Sequence, residues 1–362
     1  MLRYRRYHAD IVFIAALVLL VLAAGCGDGR LSELAFWRPT PTATYTATAT
    51  ATATATVTAT PSPTSTATAT ATPTYTPTHT ATATATSTLT ATATPTVEPL
   101  QLSLSLDPPS VAQGHTLLVR IEANRPISLT GSLDGHLLNW VEEAQGGWTV
   151  IGFGPFAETR PYFLQVAGID RYKQQAQVSA SIQVDDWAYN IEYLTIPADR
   201  QSLLDPELRR EETEKIEKVL AHFSRVPLWR GAFIVPAPGE ITSPYGSARS
   251  YNGQPVSSFH AGIDIGAGMG VPVKATQAGR VVWAASTEVR GNLVILDHGA
   301  GVFSVYAHLS TIDVQLEQAV QQGDILGKVG DTGLVTGPHL HWEIVVGGVP
   351  VNPLEWTSRT IR

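Results

Sequence analysis

The sequence predicts an all-β protein in which two β-rich regions and a single helix follow a long disordered tract. Three observations favour this fold class. Short runs of alternating apolar and polar residues recur from residue 99 onward, glycine-punctuated β runs follow residue 236, and a tract of threonine, alanine and proline precedes both. The net charge of −7 argues against a nucleic-acid-binding protein, which normally carries a basic patch.

Residues 1–26 are typical of an export signal. Three arginines give a positive start, and the uncharged run 11–24 is shorter than the roughly 20 residues that a membrane span needs. The run ends at Cys26, in a sequence similar to a bacterial lipoprotein processing site, although Ala23 stands where leucine is usual. We expect a lipid on Cys26 to hold the chain at the membrane; the alternative is a free cysteine after an uncleaved anchor. Both place the rest of the chain outside the cytoplasm.

Residues 27–98 form a predicted linker. From Pro39 to Val97 the chain is almost entirely threonine, alanine, proline and serine, with His79 as its one basic or acidic side chain. Such a tract cannot bury enough apolar surface to offset its ordering entropy, so we expect disorder and a composition suited to O-glycosylation. Fully extended, the tract would reach on the order of 180 Å.

Residues 99–186 form a predicted β-sandwich-like domain. Leucines 102, 104 and 106 alternate with polar residues, and further short alternating runs follow, separated by turn signals such as Asp134-Gly135. No cluster of catalytic residue types stands out in this region. Trp140 and Trp148 suit either sugar stacking or a buried core, and the core is the more common location for tryptophan.

Residues 187–235 contain the predicted helix and form a connector. Asp205 suits the N-cap and Pro206 the first turn. The apolar side chains that fall on one face are those of Ile216, Val219, Leu220 and Phe223. The charged side chains of residues 209–214 are expected to face water, and the sequence assigns this helix no chemistry.

Residues 236–358 combine short β runs with residue types that bind metals. The segment His260-Ala261-Gly262-Ile263-Asp264 brings an imidazole and a carboxylate close together, and both are good zinc ligands. The neighbouring glycines disfavour a helix, and in an extended segment residues four apart share a face. A histidine and an aspartate at this spacing also occur by chance in many proteins.

Three further histidines follow in the same region. His339 and His341 are two apart on a predicted strand, so their side chains project to the same side. One of them can bind a metal while the other stands beside it; the alternative is a pair of surface histidines on an edge strand. His308 ends a β run that begins near Val302, and alone it would more often be a structural histidine.

Taken together, residues 236–353 resemble the lysostaphin-type zinc peptidases that hydrolyse bacterial peptidoglycan. The segments that carry the resemblance are His260–Gly266, Gly270–Ala275, Asp297–Gly299, Tyr306–Ser310, Gly330–Gly333, Thr336–His341 and Val351–Asn352-Pro353. The resemblance implies an antiparallel β-sheet groove of the duplicated hybrid motif type. It also implies one zinc ion per domain, held by His260, Asp264 and His341, with His308 and His339 as catalytic histidines. Tyr306 is expected to help stabilise the transition state, and His298 to be structural.

The activity that follows is hydrolysis of peptide bonds in the stem or cross-bridge peptides of the wall. Three protein ligands leave a fourth position open, as a catalytic zinc requires. Two other classes stay open: a catalytically inactive relative that activates another wall hydrolase, and a module that only binds the wall. The first would normally have lost ligand residues, and the second would not need five such side chains.

Overall fold

The computed structural model describes residues 97–361 of the chain. The predicted export signal, Cys26 and almost all of the threonine-rich linker lie outside the described residues. Between residues 97 and 361, no helix combines the length and apolar character needed to cross a membrane. Strands dominate the described part, as the sequence predicts.

Two β-sheets pack face to face in the first β-rich region. The first sheet has the order β1-β3-β7-β6 and the second the order β2-β9-β8-β4-β5. Their strands are β1 (Leu102–Asp107), β2 (Val111–Ala112), β3 (Thr116–Ala123), β4 (Ile127–Leu133), β5 (His136–Leu137), β6 (Val141–Glu143), β7 (Gly146–Gly152), β8 (Pro161–Asp170) and β9 (Gln175–Asp185). Alternate side chains of both sheets, such as Leu117 and Leu164, share one buried cluster. Trp140 and Trp148 are both buried, which confirms the core interpretation.

The connector begins with strand β10 (Ile191–Leu194) and continues through a 3-10 turn (Ala198–Leu204) into helix α1 (Pro206–Leu220). The side chain of Asp205 accepts a hydrogen bond from the backbone N–H of Leu208 at 2.9 Å, which confirms the predicted cap. Ile216 and Leu220 bury the apolar face of α1 against strands of the C-terminal sheet. Strand β10 pairs in parallel with a strand of the C-terminal region, so the connector is part of that structure.

The C-terminal region is built on a large, mainly antiparallel sheet. Its central order is β11-β14-β21-β18-β17-β16-β19. The strands are β11 (Glu240–Ser243), β12 (Ala248–Tyr251), β13 (Ser258–Phe259), β14 (Ile263–Gly266), β15 (Pro272–Lys274), β16 (Gly279–Ser286), β17 (Asn292–Gly299), β18 (Val302–Ile312), β19 (Ala319–Val320), β20 (Ile325–Val329), β21 (Leu340–Val346) and β22 (Val349–Val351). Helix α2 (Pro353–Ser358) closes the region.

The first β-rich region and the C-terminal region share a hydrophobic cluster. Trp148 of β7 meets Trp229 edge-on, with ring centroids 6.0 Å apart. The backbone N–H of Thr116 donates to the carboxylate of Glu355 at 2.9 Å, and the indole N–H of Trp356 donates to the Thr116 hydroxyl at 3.2 Å. These buried contacts hold the first β-rich region against Trp229 and helix α2 of the chain that follows it. The predicted domain boundaries at residues 26, 98, 186 and 235 remain predictions.

Candidate metal centre

Strand pairing brings the predicted metal ligands together. Asp264 on β14 lies directly opposite His341 on β21, and His260 is three residues before the start of β14. Between them, Gly262 passes so close to β21 that a Cβ atom would lie 2.2 Å from a backbone oxygen of that strand. Glycine is therefore required for the sharp approach that brings His260 back towards Asp264.

Three donor atoms converge at this point. Nε2 of His260 lies 3.0 Å from Oδ1 of Asp264 and 2.9 Å from Nδ1 of His341, and Nδ1 of His341 lies 2.8 Å from the same Asp264 oxygen. All three residues are buried. Two imidazoles and a carboxylate are the donor set that zinc accepts in catalytic sites.

In His260 and His341, the ring nitrogen that faces away from Asp264 makes a hydrogen bond that fixes the orientation and tautomer of the ring. Nδ1 of His260 lies 3.0 Å from the carbonyl oxygen of Pro244, and Nε2 of His341 lies 2.8 Å from a carboxylate oxygen of Glu343. Both partners can only accept, so each ring donates a proton outward. In the neutral rings the inner nitrogens then carry lone pairs that face each other and Asp264, an arrangement that a cation would stabilise.

The protonation behaviour of the cluster agrees with this preference for a cation. Burial lowers the pKa of His260 to about 4, so that ring is neutral near pH 7. Burial also works to lower the pKa of His341, but its hydrogen bonds with Asp264 and Glu343 outweigh that effect and raise the pKa. A positive charge is therefore favoured between His341 and Asp264, and the donor atoms present fit a zinc ion.

His308 and His339 stand beside the three donors. Their ring centroids are 5.1 Å apart, and the ring of His308 lies 5.9 Å from that of His341. Nδ1 of His308 donates to the carbonyl of Thr332, and Nδ1 of His339 donates to the carbonyl of Gly337, each at 2.8 Å. The Nε2 atoms of both rings are left with lone pairs. Burial lowers the pKa of both histidines, which favours neutral rings that can accept a proton.

The backbone of His308 adopts a left-handed conformation, with φ at 62°. A non-glycine residue rarely occupies this region, and such strain persists only where the surroundings enforce it. Here the His308 N–H donates to the carbonyl of Arg290 at 3.0 Å, and the ring is fixed by Thr332. These two bonds fix the imidazole beside His339, at the point where the pairing of β17 with β18 shifts register between Tyr306 and Leu309.

The three predicted metal ligands and the two predicted catalytic histidines all line one cavity of about 450 Å³. Tyr306 does not. Its side chain is fully buried in the core, its hydroxyl accepts from the backbone N–H of Thr276 at 2.8 Å, and the Ser304 hydroxyl lies 2.9 Å away. Tyr306 pairs with Trp342 on β21 and so belongs to the face opposite His341. This corrects the expectation that Tyr306 stabilises a transition state.

His298 is structural, as expected. Its side chain is buried, Nδ1 donates to the carbonyl of Ala278 at 2.7 Å, and Nε2 lies 2.7 Å from the Ser304 hydroxyl. Burial lowers the pKa of His298 to about 4. It therefore stays neutral inside the fold at physiological pH.

Sequence reasoning missed the side chains that support the donors from outside. Arg249 on β12 donates to Oδ2 of Asp264 at 3.0 Å and lies 3.6 Å from Glu192 on β10. Glu343 supports His341, and although burial works to raise its pKa, the hydrogen bond with His341 and the charge of Arg290 lower it to about 2. Glu343 follows His339 and His341 on the same strand face, so strand periodicity could have identified it. No local signal points to Arg249, which meets Asp264 only through the fold.

Helix α1 is closer to the metal centre than its sequence suggests. Glu212 was expected to face water, but it is buried and accepts hydrogen bonds from the backbone N–H groups of Val289 and Arg290 at 2.7 and 2.9 Å. The guanidinium of Arg290 lies 3.8 Å from Glu212 and 3.7 Å from Glu343. A chain of charged groups therefore runs from the connector helix to the outer partner of His341.

Comparisons with known proteins place this geometry in a family. The sequence pattern of peptidase family M23 matches residues 258–353, the stretch that holds all five cavity side chains. The segment 258–353 is a peptidase M23 domain. Within that M23 domain the strands β14, β18 and β21 supply Asp264, His308 and His341.

Individual relatives agree over the same part of the chain. The chain is 41% identical over 117 residues to a DD-carboxypeptidase/endopeptidase, Mpg, of Neisseria meningitidis, which is 32% of this chain and 26% of that protein. It is 42% identical over 96 residues to the peptidoglycan DD-endopeptidase ShyA of Vibrio cholerae, which is 26% of this chain and 22% of that protein. The chain thus spans about a quarter of the length of these curated relatives.

A solved structure extends the likeness beyond the M23 domain. The crystal structure of a putative peptidase M23 from Pseudomonas aeruginosa has a TM-score of 0.51 and 25% sequence identity, and the match covers 69% of this chain and 95% of that one. The shared fold therefore includes more of the described residues than the segment 258–353 alone.

Proposed function

We propose that this protein is a zinc-dependent endopeptidase that hydrolyses peptide bonds in the stem or cross-bridge peptides of peptidoglycan. The observation that carries the proposal is the convergence of the His260, Asp264 and His341 donor atoms within 3.0 Å of one another in a cavity of an M23 domain. The names of the curated relatives, which include a peptidoglycan DD-endopeptidase, support peptidoglycan as the substrate.

Each site residue has a role that follows from its contacts. His260, Asp264 and His341 would hold the zinc ion, which when bound polarises the scissile carbonyl and lowers the pKa of water. His308 and His339 present Nε2 lone pairs to the same space, so one ring can take the proton of the attacking water. Once protonated, that ring can donate to the developing oxyanion or to the leaving amine. Their fixed outer hydrogen bonds keep both rings oriented throughout.

We further propose that the M23 domain works outside the cytoplasmic membrane. The proposal rests on the export signal in residues 1–26, on Cys26 as the lipid attachment point, and on the long threonine-rich tract that would tether the folded part. An anchored domain on such a tether could reach wall peptides without leaving the cell surface. Replacing Cys26 with alanine should release the chain from the membrane fraction, and firm retention would contradict the lipid anchor.

Two variants separate metal binding from catalysis. His341→Ala removes a donor and should abolish zinc binding and activity together. His308→Ala leaves the three donors in place and should keep one zinc per chain while losing turnover. Zinc content and release of new peptide termini, measured on both purified variants, test this division. Full activity of either variant would contradict the roles proposed here.

A further inference from the structure

The wall of the catalytic cavity is built in part by residues that precede the M23 domain. Glu192, Leu194 and Ile196 from the first part of the connector line it, together with Arg209 and Thr213 of helix α1. These residues lie outside the segment 258–353 that matches the family. Whatever they contribute to substrate binding therefore comes from the connector and not from the segment 258–353.

Three arginines line the cavity, and two of them are committed to acidic partners. Arg249 lies within 3.6 Å of Glu192 and donates to Asp264, and Arg290 lies between Glu212 and Glu343. Arg209 differs. Among residues 97–361, no carboxylate lies within ion-pair distance, 4.0 Å, of its guanidinium.

The position of Arg209 is nevertheless defined. Its guanidinium lies over the ring of Tyr251, 5.4 Å from the centroid, and Tyr251 is itself buried and lines the same cavity. A cation–π contact of this kind uses the face of the ring and none of the N–H donors of the guanidinium, which stay available for an acceptor. Arg209 also lies in the first turn of α1, where the helix dipole adds positive potential.

We propose that Arg209 binds a carboxylate of the peptide substrate, which rests on the proposed peptidase function of the same cavity. Arginine pairs with carboxylates through two parallel hydrogen bonds, and such charge-assisted bonds are stronger than neutral ones. Leu194 and Ile196 line the same cavity and suit small apolar side chains. The preferred ligand is thus a peptide of small apolar residues that carries a free carboxylate, bound with that group against the connector.

The test uses two peptides of the same sequence of small apolar residues, one that ends in a free carboxylate and one that ends in a carboxamide. Binding of each is titrated calorimetrically into the zinc-loaded full-length chain carrying His308→Ala, so that the peptide is not consumed. We expect the acid to bind at least about tenfold more tightly than the amide, because a hydrogen bond to a charged group is worth that much. Arg209→Gln should erase the difference.

Arg210→Gln is the matched control. Arg210 is the next residue on the helix, pairs with Glu207 and Glu214, and does not line the cavity. The control should keep the preference for the acid, and equal thermal midpoints would show that both variants fold. The proposal would be overturned if the chain that keeps Arg209 bound the acid and the amide equally, or bound neither. It would also be overturned if the preference for the acid survived Arg209→Gln. Hydrolysis of peptidoglycan by the wild type, assayed separately, decides the proposed function independently.

Discussion

Replacing Glu343 is expected to weaken zinc binding without unfolding the protein. Glu343 lies on β21 two residues after His341, is buried, and accepts the proton of Nε2 at 2.8 Å. With its pKa held at about 2, it is ionised throughout the neutral pH range. The negative charge makes the His341 ring more basic and fixes its orientation, which strengthens Nδ1 as a donor.

The size of the effect follows from the type of hydrogen bond. Glu343→Gln keeps the shape and an acceptor but removes the charge, which turns a charge-assisted hydrogen bond into a neutral one. That difference is about 1.4 kcal/mol, or about tenfold in zinc affinity. Glu343→Ala leaves Nε2–H of His341 without this acceptor and frees the ring to rotate, so we expect about a hundredfold loss.

The assay is competition for zinc between the purified chain and a chromogenic chelator at about pH 7. Glu355→Gln is the control, since Glu355 is another buried carboxylate that accepts a backbone hydrogen bond, from Thr116, but does not line the cavity. It should lower the free energy of unfolding and leave zinc affinity unchanged. Zinc affinities of both Glu343 variants within twofold of wild type would refute the reasoning.

Three further predictions concern Arg249, Gly262 and His298. Arg249→Ala removes the donor that holds Oδ2 of Asp264, so zinc affinity in the same competition assay should fall about tenfold; an unchanged affinity would show that this contact is incidental. Gly262→Ala places a Cβ against the neighbouring strand, so the free energy of unfolding in urea should fall by about 1–3 kcal/mol, whereas Gly268→Ala, with open space around it, should be neutral. Burial depresses the pKa of His298 to about 4, so as the pH falls this histidine is protonated in the unfolded chain before it is protonated in the folded one. The stability that the neutral ring contributes is therefore present above about pH 6.5 and is lost as the pH falls towards 4. The free energy of unfolding of the wild type, relative to that of His298→Gln, should therefore fall by about 2–3 kcal/mol between pH 7 and pH 4.5. A difference that stays constant over this range would contradict the lowered pKa.

The sequence predicts the parts of the site that depend on local pattern. Strand periodicity alone indicates that His339 and His341 face one space; β21 begins at Leu340, and His339 just before it forms a β-bridge with Gly330. The cap of α1 and its apolar face are likewise local properties, since Asp205, Ile216 and Leu220 lie within a few turns of one another. The division of these residues into metal ligands and catalytic histidines comes from the resemblance to the lysostaphin-type peptidases and not from the local pattern.

What the sequence does not predict depends on contacts between distant segments. Arg249 reaches Asp264 only because β12 and β14 are brought together, and Arg209 enters the cavity only because α1 packs on the large sheet. The same limit explains the misplaced role of Tyr306. Tyr306 is two residues before His308, which suggests the same strand face, but the left-handed backbone of His308 breaks the alternation, and the Tyr306 side chain lies in the core.

The proposed zinc peptidase activity is tested by digestion of cross-linked peptidoglycan with the purified chain, measured with zinc bound, after zinc is removed, and after zinc is added back. We expect one zinc per chain, release of new peptide termini by the zinc-loaded protein, loss of that release on chelation, and recovery when zinc is added back. Failure of the zinc-loaded chain to release new termini, or digestion that continues unchanged after zinc is removed, would contradict it.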